Sequence, residues 1–229
     1  MLGKESAYEH RKYQRQRKKL VAHLRDRGIT DERVLDAFMA VPRHLFVDVA
    51  LRGRAYEDEA LPIGMKQTIS QPFTVAYQTS LLRIAEGDRI LEVGTGSGYQ
   101  SAILCEMGAR VFSIERHKAL LDRTDKILEN LGYRVLTTCG DGTYGWPSFA
   151  PYDGIVVTAG AREVPTTLLE QLRQPEDDKR GGRLVIPVGD ASGQHMYRIT
   201  RADEKAYERE EFHSFRFVPL IGEGGGGME

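Results

Sequence analysis

The sequence of 229 residues predicts an α/β fold: a doubly wound, mainly parallel sheet with an N-terminal helical cover and C-terminal antiparallel strands. Three observations predict this class. Apolar residues recur at helical spacing before position 42, strand-like and helix-like segments alternate from position 89, and hairpin-like strands follow position 189. Because a strand followed by a helix needs a right-handed crossover to reach the next strand, this alternation produces a parallel sheet covered on both faces.

The N-terminal part predicts two short helices that cover the main unit. The basic run over 10–19 is interpreted as the solvated face of the first helix, which ends at Gly28. Thr30 or Asp31 caps the second helix, and Pro42 ends it. We expect a single domain, divided into an N-terminal cap over 1–58, a functional loop and helix over 59–88, an α/β core over 89–189, C-terminal strands over 190–221 and a flexible tail over 222–229.

The α/β core contains strands and helices of ordinary length. Gly108 and Gly132 each follow a helix, where glycine most easily adopts the left-handed conformation that ends it. The predicted strands cover 89–93, 110–114, 135–139, 154–158 and 183–188, the helices 99–107, 118–131 and 165–172, and the later antiparallel strands 196–200 and 212–218.

Composition excludes several classes of protein. The 32 basic and 33 acidic residues give a net charge of -1, which argues against binding nucleic acid by general electrostatic attraction. The 2 cysteines, expected to be reduced and buried, are too few for a disulfide framework or a zinc site. No apolar run is long enough to span a membrane, and the N-terminus lacks the apolar segment of a secretory signal. We therefore expect a cytoplasmic monomer without nucleic-acid or membrane partners.

The most informative segment is 91–99, LEVGTGSGY, in which a predicted strand leads through a glycine loop into a helix. Such a loop lets a ligand approach the backbone at the helix N-terminus. A dinucleotide-binding pattern would need its third glycine at position 99, and Tyr99 stands there, which disfavours a nicotinamide or flavin cofactor. Glu92 places a carboxylate beside the loop. This charge suits the cationic amino-acid and sulfonium end of S-adenosylmethionine better than a pyrophosphate.

Acidic residues also follow the next two strands. Glu115, with Arg116 after it, stands about 20 positions beyond the loop, where a carboxylate can accept hydrogen bonds from ribose hydroxyls. Asp141, with Gly142 after it, can reach an adenine amino group. Each signal alone is weak, since glycine loops are common and Glu115 could simply cap a helix. Because the carboxyl ends of neighbouring parallel strands line one crevice, the three together indicate an S-adenosylmethionine site.

Upstream of the core, 60–73 is predicted to be a long functional loop. It holds two prolines, a glycine and the hydroxyl and amide cluster QTISQ over 67–71. Loops of this length in compact domains are usually functional or disordered, and the apolar residues here argue against disorder. The alternative is a packed connector in which Ser70 caps the next helix, over 73–84.

The sequence resembles the protein-L-isoaspartate O-methyltransferase family from about Leu20 to Gly222. The family's segments occur in the family's order: VPRHLFV at 41–47, AYED at 55–58, LPIG at 61–64, QTISQP at 67–72, LEVGTGSGYQ at 91–100, SIER at 113–116, GDG at 140–142, LVIPVG at 184–189 and RFVPL at 216–220. The Thr-Ile-Ser segment is specific to this family. The chain departs from the family in a charged segment, 174–180, that replaces a short Pro-Gly-Gly turn, and in a tail without an aromatic end.

The resemblance implies a Rossmann-like, S-adenosylmethionine-dependent methyltransferase that acts on isoaspartyl residues of damaged proteins and peptides, releases S-adenosyl-L-homocysteine and starts repair through a succinimide. It implies Ser70 as the catalytic residue. The expected cofactor-binding residues are Thr68, Ile69, Glu92, Gly94, Thr95, Gly96, Ser97, Gly98, Glu115, Arg116, Asp141 and Gly142. The expected substrate-binding residues are Gln67, Gln71, Val188 and Leu220, in a groove formed by 188–189 and 217–220.

Methyl transfer to a carboxylate needs no general base, because a carboxyl group with a pKa of about 4 is already ionised at neutral pH. The sequence accordingly shows no nucleophile–base or metal-binding motif. We expect His44 to be a structural residue and Trp146 to lie in the core or in a pocket wall. Three alternatives remain open: a methyltransferase for a small molecule or RNA base, a cofactor-binding regulator without catalysis, and a nicotinamide oxidoreductase.

Overall fold

The computed structural model describes residues 7–176, 180–190 and 192–223. Its helices and strands follow the predicted order closely. The helices are α1 (Ala7–Asp26), α2 (Glu32–Ala40), α3 (Pro72–Leu82), α4 (Tyr99–Glu106), α5 (Lys118–Asn130) and α6 (Thr166–Glu170). The strands are β1 (Leu61–Gly64), β2 (Gln67–Ile69), β3 (Arg89–Val93), β4 (Arg110–Glu115), β5 (Val135–Cys139), β6 (Gly154–Val157), β7 (Arg183–Asp190), β8 (Gly193–Arg201) and β9 (Tyr207–Phe215).

A seven-stranded sheet in the order β5-β4-β3-β6-β7-β8-β9 forms the centre of the molecule. The strands from β5 to β7 are parallel, and β8 and β9 continue the sheet antiparallel to their neighbours. Apolar side chains cover both faces, in one large core with the N-terminal helices and a second core on the other face. The predicted doubly wound, mainly parallel sheet with antiparallel C-terminal strands is therefore confirmed.

The two N-terminal helices form the expected cover. Asp31 caps α2, since its Oδ1 accepts hydrogen bonds from the N–H groups of Arg33 at 3.0 Å and Val34 at 3.4 Å. Gly28 follows α1 with a φ of 96°, a left-handed conformation that suits glycine. Most of the basic run over 10–19 is exposed, in agreement with a solvated helix face.

The structure corrects the prediction for 60–73, which is not a continuous loop. Strands β1 and β2 pair as an antiparallel hairpin, with Leu61 opposite Ile69. The alternative role of Ser70 as a helix cap is also wrong, because α3 has Gln71 at its N-cap position without a side-chain cap. Instead, the carboxylate of Asp58 accepts a hydrogen bond from the Phe73 N–H at 2.8 Å.

Other differences lie at element ends and at the cysteines. Strand β7 continues to Asp190 and pairs with β8 along its whole length, so the expected loop at 188–189 is strand. Cys105 is half-buried and Cys139 is exposed, so the expectation of two buried thiols was wrong. Positions 177–179 of the charged segment and 224–229 of the tail lie outside the described residues. Among the helices that are described, none is both long and apolar enough to cross a membrane.

Candidate active site

The glycine loop between β3 and α4 lies at the carboxyl edge of the parallel sheet. Gly94, Gly96 and Gly98 have φ values of 98°, 53° and 83°, which L side chains rarely adopt. Two of them also face close neighbours. A Cβ at Gly94 would lie 2.4 Å from Thr158 Oγ1, and one at Gly98 would lie 2.6 Å from Thr124 Cγ2. Conformation and close packing therefore both require glycine at these two positions.

Glu92 lies buried beneath this loop with one carboxylate oxygen unpartnered. Its Oε2 accepts hydrogen bonds from Ser113 Oγ at 2.8 Å and from Ser101 Oγ. Ser113 is the register partner of Glu92 on β4, so the pairing of the two strands sets this contact. Its Oε1 is buried without a hydrogen-bond partner in the described structure. Burial raises the pKa of Glu92 to about 8, against the opposing effect of the two hydroxyl groups. A cationic ligand group would stabilise the ionised form of this carboxyl.

Glu115 holds the glycine loop from the end of β4. Its Oε2 accepts from the Gly96 N–H at 2.9 Å, and its Oε1 accepts from the His117 N–H at 2.9 Å. A carboxylate oxygen has more than one acceptor position, so both oxygens can still accept from ribose hydroxyls. The sequence therefore placed Glu115 beside the loop correctly, and the structure adds its bond to the loop backbone.

Asp141 is turned toward the C-terminal segment. Its Oδ1 accepts from the N–H of Thr143 at 2.9 Å, and its Oδ2 accepts from the N–H of Glu223 at 2.9 Å. Burial acts to raise the pKa of Asp141. These two bonds and the one from the Thr143 hydroxyl outweigh burial together, so the pKa is lowered. Asp141 does not line the cavity beside the glycine loop, although Gly142 does.

The cavity beside the glycine loop, here called the cofactor cavity, gathers most of the predicted residues. Gly98 does not line the cavity, because it packs against Thr124 of α5. The predicted residues that line the cavity are Gln67, Thr68, Ile69, Ser70, Glu92, Gly94, Thr95, Gly96, Ser97, Glu115, Arg116, Gly142 and Leu220.

A second cavity of about 920 Å³, here called the groove, adjoins the first. Residues at the junction of β2 and α3 form one wall, and residues 213–218 form the other. Phe73, Phe215 and Phe217 give it an aromatic surface, with ring centroids 6.3 Å apart in both neighbouring pairs. Thr68, Ser70, Thr158 and Val218 line both cavities. The two cavities therefore meet at Ser70.

Two of the predicted substrate-binding residues lie elsewhere than expected. Val188 pairs with His195 inside the sheet and lines neither cavity. Leu220 is on the cofactor side, where its N–H donates to the Gly160 carbonyl at 2.8 Å. Gln71 does line the groove, and its Nε2 donates to the carbonyl of Asp58 at 2.9 Å. The groove thus lies between α3 and the end of β9 rather than along β7, although Phe217 and Val218 of the predicted segment 217–220 do line it.

Arg43 supports Ser70 from behind, a function that the sequence did not reveal. The Arg43 side chain is fully buried; its Nη2 donates to the Ser70 carbonyl at 2.8 Å and its Nε to the Ala55 carbonyl at 2.8 Å. Its guanidinium lies 4.7 Å from the ring centroid of Tyr99. Burial lowers the pKa of Arg43 to about 10, so it remains charged at neutral pH. Next to it, His44 is buried with its Nδ1 2.7 Å from the Tyr56 hydroxyl, in agreement with a structural function.

Comparison with known proteins decides the family. The model of the protein-L-isoaspartate(D-aspartate) O-methyltransferase family matches residues 15–225. The chain belongs to this family. It is 67% identical over 221 residues to a protein-L-isoaspartate O-methyltransferase of Salinibacter ruber, covering 95% of this chain and 96% of that one. A relative of the same name from Cytophaga hutchinsonii is 54% identical over 209 residues, 91% of this chain and 92% of that one.

Two solved structures share the fold of this chain. A protein-L-isoaspartate O-methyltransferase with 30% sequence identity superposes with a TM-score of 0.79, covering 91% of this chain and 67% of that one. A Plasmodium falciparum protein solved in complex with S-adenosyl-L-homocysteine superposes with a TM-score of 0.76 at 24% identity, covering 89% and 97%. The chain is a methyltransferase that uses S-adenosylmethionine. The regulator and oxidoreductase alternatives are thereby removed.

Proposed function

We propose that the enzyme transfers a methyl group from S-adenosylmethionine to the free carboxylate of L-isoaspartyl residues in proteins and peptides, with Ser70 as its catalytic residue. The observation that carries this proposal is that Thr68 and Ser70 line both cavities. A carboxylate held in the groove against Ser70 therefore borders the cofactor cavity. Such contact is what a direct transfer between two bound molecules requires.

Within the cofactor cavity, we assign the cationic end of the cofactor to the side of Glu92. The unpartnered Oε1 of this buried carboxyl can accept a hydrogen bond or offset a positive charge there. We assign the ribose to Glu115, whose Oε2 already accepts a hydrogen bond from the Gly96 N–H of the glycine loop. When bound, S-adenosylmethionine supplies the methyl group: a carboxylate oxygen forms the new O–C bond as the S–C bond breaks, giving a methyl ester and S-adenosyl-L-homocysteine.

The protein groups around Ser70 orient the acceptor and do not need to remove a proton from it, because the carboxylate is ionised at neutral pH. The Ser70 hydroxyl can donate a hydrogen bond to the carboxylate. Arg43 fixes the Ser70 backbone through the 2.8 Å bond to its carbonyl. Alignment of two reactants in this way can contribute ~7–11 kcal/mol to catalysis.

The groove supplies selectivity for the damaged residue. Isoaspartate differs from aspartate in where one methylene lies, in the backbone or in the side chain, so the path of the peptide backbone distinguishes them. An extended peptide between α3 and residues 213–218 would place its free carboxylate at Ser70 only when the peptide backbone follows the longer isoaspartyl path. The neighbouring backbone amide nitrogen then attacks the ester carbonyl and expels methanol, and the resulting succinimide hydrolyses partly to normal aspartate.

The experiment that tests this function compares two synthetic peptides that differ only in isoaspartate or aspartate at one position. With labelled S-adenosylmethionine as donor, we expect a base-labile methyl ester on the isoaspartyl peptide alone. Equal labelling of both peptides would refute the proposed selectivity. Labelling of neither, while S-adenosyl-L-homocysteine still binds, would refute the proposed acceptor.

We further propose that the enzyme works as a cytoplasmic monomer. The two free cysteines are consistent with a reducing compartment, where disulfides rarely persist. Light scattering coupled to size-exclusion chromatography should give a mass near the 25.7 kDa of the chain. A mass of twice this value would contradict the monomer. Fractionation of the source cells with antibody detection would test the compartment.

A further inference from the structure

Asp58 is a nearly buried carboxylate whose two oxygens bind two different parts of the protein. Its side chain is 11% exposed. Its Oδ1 accepts a hydrogen bond from the Phe73 N–H at 2.8 Å, in the first turn of α3. Its Oδ2 lies 2.5 Å from Arg27 Nη1 and 3.2 Å from His23 Nε2, at the C-terminal end of α1. Asp58 therefore joins the N-terminal cover to the start of α3.

The bond from Phe73 to Asp58 does the work of a helix cap. The first N–H groups of a helix have no acceptor within the helix, and Gln71 at the N-cap position supplies none from its side chain. Asp58 supplies this acceptor from a segment distant in sequence, and its negative charge is favourable at a helix N-terminus. The position of the first turn of α3 thus depends on Asp58.

This turn directly follows Ser70. Two residues separate Ser70 from Phe73, so a displacement of the Phe73 backbone is passed on to Ser70 through a short length of chain. Within that length, Gln71 Nε2 donates to the Asp58 carbonyl at 2.9 Å. Asp58 therefore holds the segment after Ser70 at two points, through its carboxylate and through its own backbone.

Arg43 holds the same two segments together on the other side of Ser70. Its Nη2 donates to the Ser70 carbonyl and its Nε to the Ala55 carbonyl, both at 2.8 Å. Burial lowers the pKa of Arg43, and the negative charge of Asp58 is one of the influences that oppose this effect. Asp58 thus also favours the charged form of the residue that fixes the Ser70 carbonyl.

Arg27 carries the connection into the wall of the groove. Its guanidinium carbon lies 3.6 Å from the ring centroid of Phe73, and both residues line the groove. The ion pair with Asp58 fixes the guanidinium in this place. Although Asp58 also lines the groove, its oxygens are bound to protein groups, so it has no need to touch the peptide.

We propose that Asp58 is a positioning residue for methyl transfer: through the Phe73 N–H and the Gln71 side chain it places the Ser70 hydroxyl where the two cavities meet. This inference rests on the function proposed above for Ser70. Asp58 acts through Ser70 and not on the acceptor carboxylate itself. Loss of its carboxylate should therefore lower kcat and leave the Kd for S-adenosylmethionine unchanged.

A double-mutant cycle with Asp58→Ala and Ser70→Ala tests the proposal, with isoaspartyl peptide as substrate. We expect Asp58→Ala to lower kcat at least about tenfold, because a misplacement of ~1 Å can cost ~100-fold in rate. In the Ser70→Ala background the same substitution should have no further effect, since the group that it positions is gone. An equal fall in both backgrounds, or wild-type kcat in Asp58→Ala, would overturn the proposal.

Asp58→Asn is the second variant, because it has the size of the natural side chain and should fold where alanine does not. Its single amide oxygen cannot replace both carboxylate oxygens. We expect kcat to lie between those of the wild type and Asp58→Ala, and this loss should also disappear in the Ser70→Ala background. Wild-type kcat in Asp58→Asn, or a loss that persists without the Ser70 hydroxyl, would contradict the positioning function.

Asp153→Ala is the matched control. Asp153 is 16% exposed, accepts from the Arg89 N–H at 2.8 Å and pairs with Arg173, so it makes the same kinds of bond as Asp58. It precedes β6, at the edge of the sheet opposite the glycine loop. We expect a lower Tm and wild-type kcat. An equal loss of kcat here would show that destabilisation alone explains the Asp58 variants.

A measurement without substrate separates this proposal from the proposed function. Hydrogen exchange of the Phe73 amide, followed by NMR in the ligand-free protein, should be faster in Asp58→Ala than in the wild type and in Asp153→Ala. Unchanged exchange at Phe73 would overturn the positioning function whether or not the enzyme methylates the peptide. Faster exchange in an enzyme that leaves isoaspartyl peptide unmethylated would instead place the failure in the proposed function.

Discussion

Ser70 is the side chain with which the proposed acceptor carboxylate has its most direct contact. It lies where the cofactor cavity meets the groove, and Arg43 fixes its carbonyl at 2.8 Å. The backbone that carries the hydroxyl is thus held in place. This arrangement suits orientation of an anion rather than activation of a nucleophile.

For Ser70→Ala we expect kcat for isoaspartyl peptide to fall about 10- to 150-fold, since a hydrogen bond to a charged group contributes ~1.5–3 kcal/mol. The Kd for S-adenosylmethionine should change little. Steady-state kinetics and calorimetry measure the two quantities. Ser80→Ala is the matched control, because the Ser80 hydroxyl only donates to the Ala76 carbonyl within α3. Full turnover in Ser70→Ala would remove Ser70 from the mechanism.

Glu92 should make cofactor binding depend on pH. Its pKa of about 8 means that it is mostly protonated at neutral pH before binding, and a cationic ligand favours the ionised form. We expect the affinity for S-adenosylmethionine to rise as the pH increases from 6.5 toward about 8 and then to level off. In Glu92→Gln the rise should be absent. Calorimetric titration of both proteins across this pH range measures the affinity. The same pH dependence in the wild type and in Glu92→Gln would contradict this interpretation.

The same carboxyl affects folding stability with a definite sign. Because its pKa is about 8 in the folded chain and 4.5 in the reference state, the folded chain binds more protons than the unfolded chain between these values. The stabilising contribution is therefore complete below about pH 4.5 and is lost as the pH rises through about 8. The free energy of unfolding, measured by urea denaturation of the ligand-free protein, should fall as the pH rises from about 4.5 to about 8. In Glu92→Gln this contribution to the pH dependence should be absent.

At the scale of the elements, the glycine loop combines an unusual backbone with close contact to α5. Gly98 and Gly132 separate these two effects. Their φ values are 83° and 81°, but a Cβ at Gly98 would lie 2.6 Å from Thr124 Cγ2, whereas a Cβ at Gly132 would meet no atom within 4 Å. The two positions form a matched pair for substitution.

We expect Gly132→Ala to destabilise the fold by about 1–2 kcal/mol through its left-handed conformation alone. Gly98→Ala should cost more, because Thr124 or the loop must also move, and should weaken binding of S-adenosylmethionine as the loop shifts. Urea unfolding and calorimetry provide the measurements. Equal stabilities of the two variants, with unchanged cofactor affinity, would show that the close contact has no effect.

The elements also show which parts of the site the sequence could predict. The glycine loop and Glu115 were placed correctly because strand ends in a parallel sheet meet at one edge, whatever the details of packing. The hairpin over 61–69 was missed because its strands are short and its turn residues, Met65 and Lys66, adopt left-handed conformations without glycine. Local propensity gives no sign of such a turn.

The α3 side of the groove and the Arg43 support were missed for a different reason. Each depends on residues that are distant in sequence, such as Phe73 and Phe215, whose rings stack 6.3 Å apart. Arg43 likewise reaches Ser70 from 27 positions away. Val188 was predicted to bind substrate because it lies in a family segment. In the structure it pairs with His195 inside the sheet. Only the packed structure determines which segments face one another.

For the molecule as a whole, cofactor binding should be measurable as stability. A ligand that binds only the folded state at 100 times its Kd stabilises by ~2.7 kcal/mol, which corresponds to a Tm increase of roughly 5–10 °C at this chain length. We expect such a shift with S-adenosyl-L-homocysteine. We expect none with NADH, because Tyr99 stands where the dinucleotide-binding pattern needs its third glycine. A scanning fluorimetry series measures both, and a shift with NADH alone would contradict the cofactor assignment.

If the acceptor carboxylate and the cofactor meet at Ser70, a crystal structure of the enzyme with S-adenosyl-L-homocysteine and an isoaspartyl peptide will show both ligands there. We expect the peptide to lie in the groove between α3 and residues 213–218. Its free carboxylate should be within hydrogen-bond distance of Ser70 Oγ and should face the sulfur atom. A carboxylate bound away from Ser70, or a peptide bound outside the groove, would show that Ser70 does not orient the acceptor.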